Sequence, residues 1–170
     1  MKRLSVAILL TLASASSPLI AQTVEVALLE SGGGTGTALS SERVIDGAMD
    51  GLFLEGFIAT SSRPSPGDAE SLAAFVPDPG AEEGMVDYVI VILAEYTAAS
   101  PIPACSYRLV RVRDRAELAR GSHPAQVPAS LSDKDIKKAC SNAGSAISAS
   151  CGGVMRGLGA SRRVYEYEEA

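Results

Sequence analysis

Tryptophan is missing from this 170-residue chain, and aromatic residues make up only 5% of it. Sugar-binding clefts and base-stacking platforms are built from aromatic rings, so both classes are set aside and no nucleic-acid partner is expected. Histidine occurs once, at His123, which removes every site that needs two imidazoles. There is no Cys-x-x-Cys pair and no Gly-x-Ser-x-Gly elbow, so thioredoxin-like redox work and α/β-hydrolase chemistry lack their motifs. No hydrophobic run reaches the roughly 20 residues of a membrane span. The first cysteine is Cys105, so the short apolar stretch at the start is not followed by a lipid-anchor cysteine.

Lysine is absent between Lys2 and Lys134, and this decides how the glycine stretch "LLESGGGTGTALSSERV" (28–44) is read. A short apolar run followed by glycines and then a helix is where a phosphate loop would sit. A Walker loop needs a lysine to neutralise phosphate charge, and none is there. In the dinucleotide pattern starting at Gly34, Leu39 stands where the last glycine belongs. Glu30 and Glu42 flank the stretch and would repel an anion. We read it as a surface linker from a strand to a helix, and expect no cofactor.

What is present begins with an export signal. Lys2 and Arg3 precede an apolar core, Leu4 to Ala13, and then small residues. That layout is a secretory leader, with cleavage after Ala21 or after Ala15. The expected location is the periplasm or outside the cell. Charge is divided along the remainder. Residues 22–104 carry two arginines against thirteen acids, whereas residues 105–165 carry eleven cations against four. Either the two halves face each other or the basic half attracts an anionic partner.

Periodicity supplies the elements. Residues 23–30 read as a strand. Ser40 or Ser41 should cap a helix whose apolar face holds Val44, Ile45, Ala48, Met49, Leu52 and Phe53. Gly56 should stop it, with a short strand over 57–60. A brief helix starts at Pro66. The β-branched run in "DYVIVILAEYT" (87–97) predicts a central strand buried on both faces. "ASPIPA" (99–104) reads as a loop, and residues 105–113 with 116–121 as a hairpin. Ser132 should cap a second main helix bearing Ile136, Cys140, Ala143, Ile147 and Cys151 on one face, with Gly152 and Gly153 ending it. Residues 162–169 alternate like an edge strand or form a tail. The fold expected is α/β (α+β): a single layer-type domain over 22–160, with a mixed sheet and two main helices packed against it, and 161–170 as tail or edge strand.

Three groups of side chains are candidates for function. Arg108, Arg111, Arg113 and Arg115 gather in the hairpin, and guanidinium forks suit phosphate or carboxylate. Alternation sets Arg108 on the opposite face from Arg111 and Arg113. Glu42, Asp46 and Asp50 step by four along the first helix, the pattern of a solvated face; no metal site is expected. Cys140 and Cys151 are too far apart on one helix to be bridged, roughly 16 Å along its axis. Cys105 with Cys140 or with Cys151 is the disulfide left open, against three small buried hydrophobes.

The segments "VEVALLES", "SERVIDGAMDGLFLEGFIAT", "DYVIVILAEY" and "YRLVRVRDRAELARG" carry a resemblance. Their order is similar to a group of bacterial envelope domains: the periplasmic domain of outer-membrane lipoproteins that activate penicillin-binding proteins, the curli-secretion lipoprotein, and the amino-terminal domain of the Tol-system propeller protein. Phe53, Gly56, Phe57, Asp87, Tyr107, Leu109 and Val110 occupy the matching places. The missing anchor cysteine departs from the lipoprotein pattern. The resemblance implies a domain that binds proteins and brings no catalytic residues. The function expected is therefore that of an exported, non-enzymatic accessory protein binding another envelope protein or a second copy of itself. The alternative is a small anionic ligand held by the arginine hairpin. When the chain is exported from a Gram-negative host, amino-terminal sequencing of the periplasmic product should read from Gln22 or from Ser16. A product retaining Met1 would overturn export by leader cleavage.

Overall fold

The computed structural model describes residues 22–32, 34, 37–77, 85–128 and 132–168, with side chains to Leu158. The leader expected over residues 1–21 lies outside them. Six strands form one mixed sheet: β1 (Thr23–Ser31), β2 (Ile58–Ser61), β3 (Ser65–Pro66), β4 (Tyr88–Thr97), β5 (Ser100–Arg111) and β6 (Glu117–His123). Their order is β2-β1-β4-β5-β6, with β3 pairing β1 beyond β2. β1 lies parallel to β2, β3 and β4, while β4–β5 and β5–β6 are antiparallel. Among the described residues the helices are α1 (Ala38–Leu54), α2 (Ala69–Ala74) and α3 (Asp133–Glu168). The expected mixed sheet with two main helices against it is the fold observed.

β4 is central, as its β-branched run requires. Residues from Tyr88 to Ala94 are all buried, because helices α1 and α3 cover one face and α2 covers part of the other. Asp87 sets its start. Its carboxylate accepts from Thr23 N at 2.9 Å, its own N–H donates to Thr23 O, and its carbonyl accepts from Val112 N. One residue thus ties β1, β4 and the far end of β5.

α1 ends in a Schellman motif. Phe57 N donates to Leu52 O and Gly56 N to Phe53 O, each at 3.0 Å. Gly56 has φ +88, which a side chain would strain. Leu52 and Phe57 bury the hydrophobic contact that accompanies this motif. The start of α1 differs from expectation. Its N-cap is Thr37 with no side-chain cap, and Ser40 and Ser41 lie buried in the first turn. Neither serine caps because Ser41 is drawn to Tyr96, whose hydroxyl lies 2.7 Å from its Oγ.

Other boundaries move for identifiable reasons. Pro66 belongs to β3, and Asp68 caps α2 by accepting from Ser71 N at 2.8 Å. "ASPIPA" is not a loop: Ser100 to Ala104 begin β5, on a length that projects past the β6 ladder, which starts at Cys105. There the N–H that proline lacks is not required on the free side. β5 stops at Arg111, and Val112–Asp114 form a 3₁₀ turn with Arg115 in the left-handed region.

α3 starts at the expected cap, with Asp135 N donating to Ser132 Oγ and Ser132 Oγ donating to Asp135 Oδ2. It then passes through Gly152 and Gly153 and continues to Glu168, so residues 162–168 are neither an edge strand nor an irregular tail. Gly152 faces Glu55, whose carboxylate occupies the space a Cβ there would fill. The same holds along the crossing of the two long helices. A Cβ at Gly47 would strike the Ser141 backbone, and one at Gly144 the Val44 backbone. Ser145 Oγ donates to Gly47 O at 3.0 Å across this approach.

Gly47→Val and Gly144→Val should each cost at least about 3 kcal/mol in chemical denaturation, at the upper end of overpacking effects. Gly153 has nothing within 4 Å of its missing Cβ. Gly153→Ala should therefore stabilise by about 0.5–1 kcal/mol. Equal, small effects at all three positions would refute the close approach.

Candidate functional site

The hairpin arginines do not converge. Arg108 stands on the α2 face of the sheet, opposite Val91 and Arg120 in the register. Its Nε donates to Glu117 at 2.6 Å, and Nη1 donates to the carbonyls of Leu72 and Ala73 at 2.6 and 2.7 Å. It therefore holds the carboxyl end of α2 against the sheet, neutralising carbonyls that helix geometry leaves unpaired. Arg120 shares the same Glu117 carboxylate, whose pKa the Arg120 contact lowers most, with Arg108 adding to it.

Arg111 lies on the other face, opposite Tyr88, and grips Asp114 through both Nε and Nη2. This fork holds the Asp114 carboxyl down at about 2. Arg113 falls in the 3₁₀ turn rather than on a strand, and Arg113 and Arg115 are exposed. Arg108 and Arg120 line a cleft of about 420 Å³ beside α2, with Glu117 between them.

The three cysteines are buried free thiols, and neither bridge left open by the sequence is formed in this structure. Cys140 and Cys151 stand on one continuous helix, as expected. Cys105 faces them from β5 within the same apolar cluster. Burial pushes Cys105 and Cys151 each up to about 12. Burial also raises Cys140, against a hydrogen bond from Ser40. Such thiols stay protonated and inert at neutral pH.

The glycine stretch is partly outside the described residues. Gly32, within them, has φ +70, and a Cβ there would strike the Tyr96 carbonyl. Glu30 buries one carboxylate oxygen, Oε1, at the end of β1. A glycine forced by close packing and a buried acid beside it do not make a phosphate cradle.

The surface that stands out is the outer side of α1. The expected apolar face is wider than its contact. Val44, Ile45, Ala48 and Leu52 are buried, but Met49 is only half-buried and Phe53 is 52% exposed. Leu54 is 90% exposed, and Ile58, at the start of β2, is 49% exposed. The Schellman turn leaves Leu54 and Ile58 outward while it buries Leu52 and Phe57. Beside them a groove of about 590 Å³ runs between α1 and α3. Met49 and Phe53 are its apolar lining, Asp46 and Asp50 lie on the α1 side, and Lys137 and Lys138 on the α3 side. Asp46 is also paired with Arg43 at 2.8 Å. The sequence signal for this surface was an apolar arc on α1 too broad for one contact.

No protein-family model matches the sequence, and no curated protein matches it. Among solved structures, the lipoprotein GNA1162 of Neisseria meningitidis is similar with a TM-score of 0.46 and 19% identity, over 65% of this chain and 84% of that one. A PelC dodecamer of Paraburkholderia phytofirmans gives 0.47 and 13%, over 75% of this chain and 86% of the other. Protein XCC0632 of Xanthomonas campestris gives 0.46 and 13%, over 84% and 89%. No family is assigned by these likenesses.

A thiol-reactive aromatic disulfide should find almost no reactive cysteine in the native protein at neutral pH. After denaturation it should titrate all three cysteines. A single thiol after denaturation would mean that a bridge had formed.

Proposed function

We propose that this chain is an exported, non-enzymatic accessory protein of the bacterial envelope that works by binding another envelope protein or a second copy of itself. One observation carries the reading: Phe53, Leu54 and Ile58 stand 52%, 90% and 49% exposed within six residues of one another. Single exposed apolar residues are ordinary on a protein surface. A cluster of three large ones beside a groove is the pattern of an interaction site. The leader at residues 1–21 supports the location. The helix turn that presents the cluster is fixed by the Phe57–Leu52 and Gly56–Phe53 backbone bonds and by the burial of Leu52 and Phe57, so the patch is preformed and ordering it on binding costs little. The geometry favours this reading over an anion site on the hairpin, because carboxylates already engage Arg108 and Arg111.

Phe53→Ser with Leu54→Ser should leave stability within about 0.5 kcal/mol, since neither side chain is in the core. Capture of the partner from envelope extract, with the tagged mature chain as bait, should fall at least about tenfold. Undiminished capture would overturn the reading. So would an empty bait together with a monomer by light scattering.

A further inference from the structure

The cleft of about 420 Å³ between α2 and the β5–β6 side of the sheet has one polar wall and one apolar wall. In the β5–β6 register Arg108 faces Arg120, and Ser106 faces Ser122. Side chains two apart on a strand share a face, and directly opposed ones stand about 5 Å apart at Cβ. The four residues therefore form a square of hydrogen-bond donors on one side of the sheet, and all four line the cleft. The apolar wall is Ala69, Leu72 and Ala73, at i, i+3 and i+4 on one face of α2.

The donors are only partly used. Glu117 accepts from Nε of Arg108 with one oxygen and from Nε of Arg120 with the other. Arg108 donates Nη1 to the α2 carbonyls. Nη1 and Nη2 of Arg120, and the hydroxyls of Ser106 and Ser122, make no hydrogen bond among the described residues. No acid lines the cleft itself. Two guanidiniums against the single carboxylate of Glu117 leave one positive charge.

We propose that this cleft binds a small amphipathic monocarboxylate, with its carboxylate on Arg120 and the two serines and its apolar body along α2. The site is separate from Phe53, Leu54 and Ile58, on which the protein-binding reading rests. With Nε committed to Glu117, Arg120 keeps its outer edge, where Nη1 and Nη2 form a fork that takes both oxygens of one carboxylate. One negative charge cancels the surplus. A phosphate dianion would bring a second, near Glu117 and with no cation left to meet it. The cleft falls in the range of small-ligand sites, roughly 300–1,000 Å³, and two alanines keep the α2 wall open. Arg108 contributes by its tether, which holds that wall at a fixed distance from the donors.

The probe is octanoate, titrated calorimetrically into the mature chain beside acetate, octylammonium and octyl phosphate. Octanoate should bind at least about tenfold more tightly than acetate, which lacks the tail, and than octylammonium, which has the wrong charge. It should also bind more tightly than octyl phosphate. Arg120→Gln should weaken octanoate at least about tenfold, and at a side chain 75% exposed it leaves the fold intact. Ala73→Phe, at an exposed position of α2, should fill the cleft and cause a similar loss. Equal binding of octanoate and octylammonium, a preference for octyl phosphate, or octanoate binding that survives either variant overturns the proposal. So does binding that Phe53→Ser with Leu54→Ser removes and Arg120→Gln does not, which places the probe on the exposed apolar cluster. Absence of octanoate binding up to about 10 mM overturns it as well and leaves the protein-binding reading standing.

Discussion

The backbone-to-backbone approach of α1 and α3 is the constraint on which the other features depend. Two helices can lie this close only where the touching positions carry no Cβ, and Gly47 and Gly144 provide that, each against the other helix's backbone, while Gly51 and Gly152 make room for the side chains of Ser148 and Glu55. The small face of α3, with Ser141 before Gly144 and with Ser145 and Ser148 between Gly144 and Gly152, meets the small face of α1. With that side of each helix committed to the other, the side facing the sheet is set. Val44, Ala48 and Leu52 turn toward β1 and β2, and Cys140, Ile147, Cys151 and Met155 toward β5 and β6. Arg156 closes the arrangement from outside, 2.5 Å from Glu55 Oε2 in an ion pair that is close but not aligned as a hydrogen bond.

The outward side of α1 follows from the same commitment. An α-helix has room for one broad apolar contact or two narrow ones. α1 makes two narrow ones, to the sheet through branched and aliphatic residues and to α3 through glycine. Met49 and Phe53 fall beyond both, and Leu54 and Ile58 are turned out by the Schellman end. The exposed cluster and the charged groove are thus consequences of how closely the helices pack, and that packing also makes the surface rigid. On the opposite face of the sheet the logic is polar. Arg108 fastens the short α2 by its carbonyls, so a residue that looks available for ligand is a structural tether.

Much of the fold was legible along the chain. The β-branched run of β4, the alternation of β1, the Gly56 stop and the Ser132 cap each depend on a few neighbouring residues, and each appears where expected. The face of α3 was legible too, because Ile136, Cys140, Ala143, Ile147 and Cys151 repeat at helical spacing. The readings that failed required a partner distant in sequence. Gly152 and Gly153 looked like a helix end, yet the missing side chain at Gly152 makes room for Glu55. Ser40 and Ser41 looked like caps, yet Ser41 answers to Tyr96, 55 residues away. The prolines of β5 looked like a loop, yet they sit where β6 no longer runs alongside.

The sequence by itself determined the class of fold, a mixed sheet with two main helices against it, because that rests on composition and local period. Only the tertiary structure decided which arginines are free, which apolar residues of α1 face water, and that acids and lysines nearly a hundred residues apart line one groove. The physical reason is the same in each case. A side chain's charge and polarity belong to the residue, but its availability depends on what packs against it, and for α1 and α3 that was settled by the missing Cβ atoms of Gly47 and Gly144.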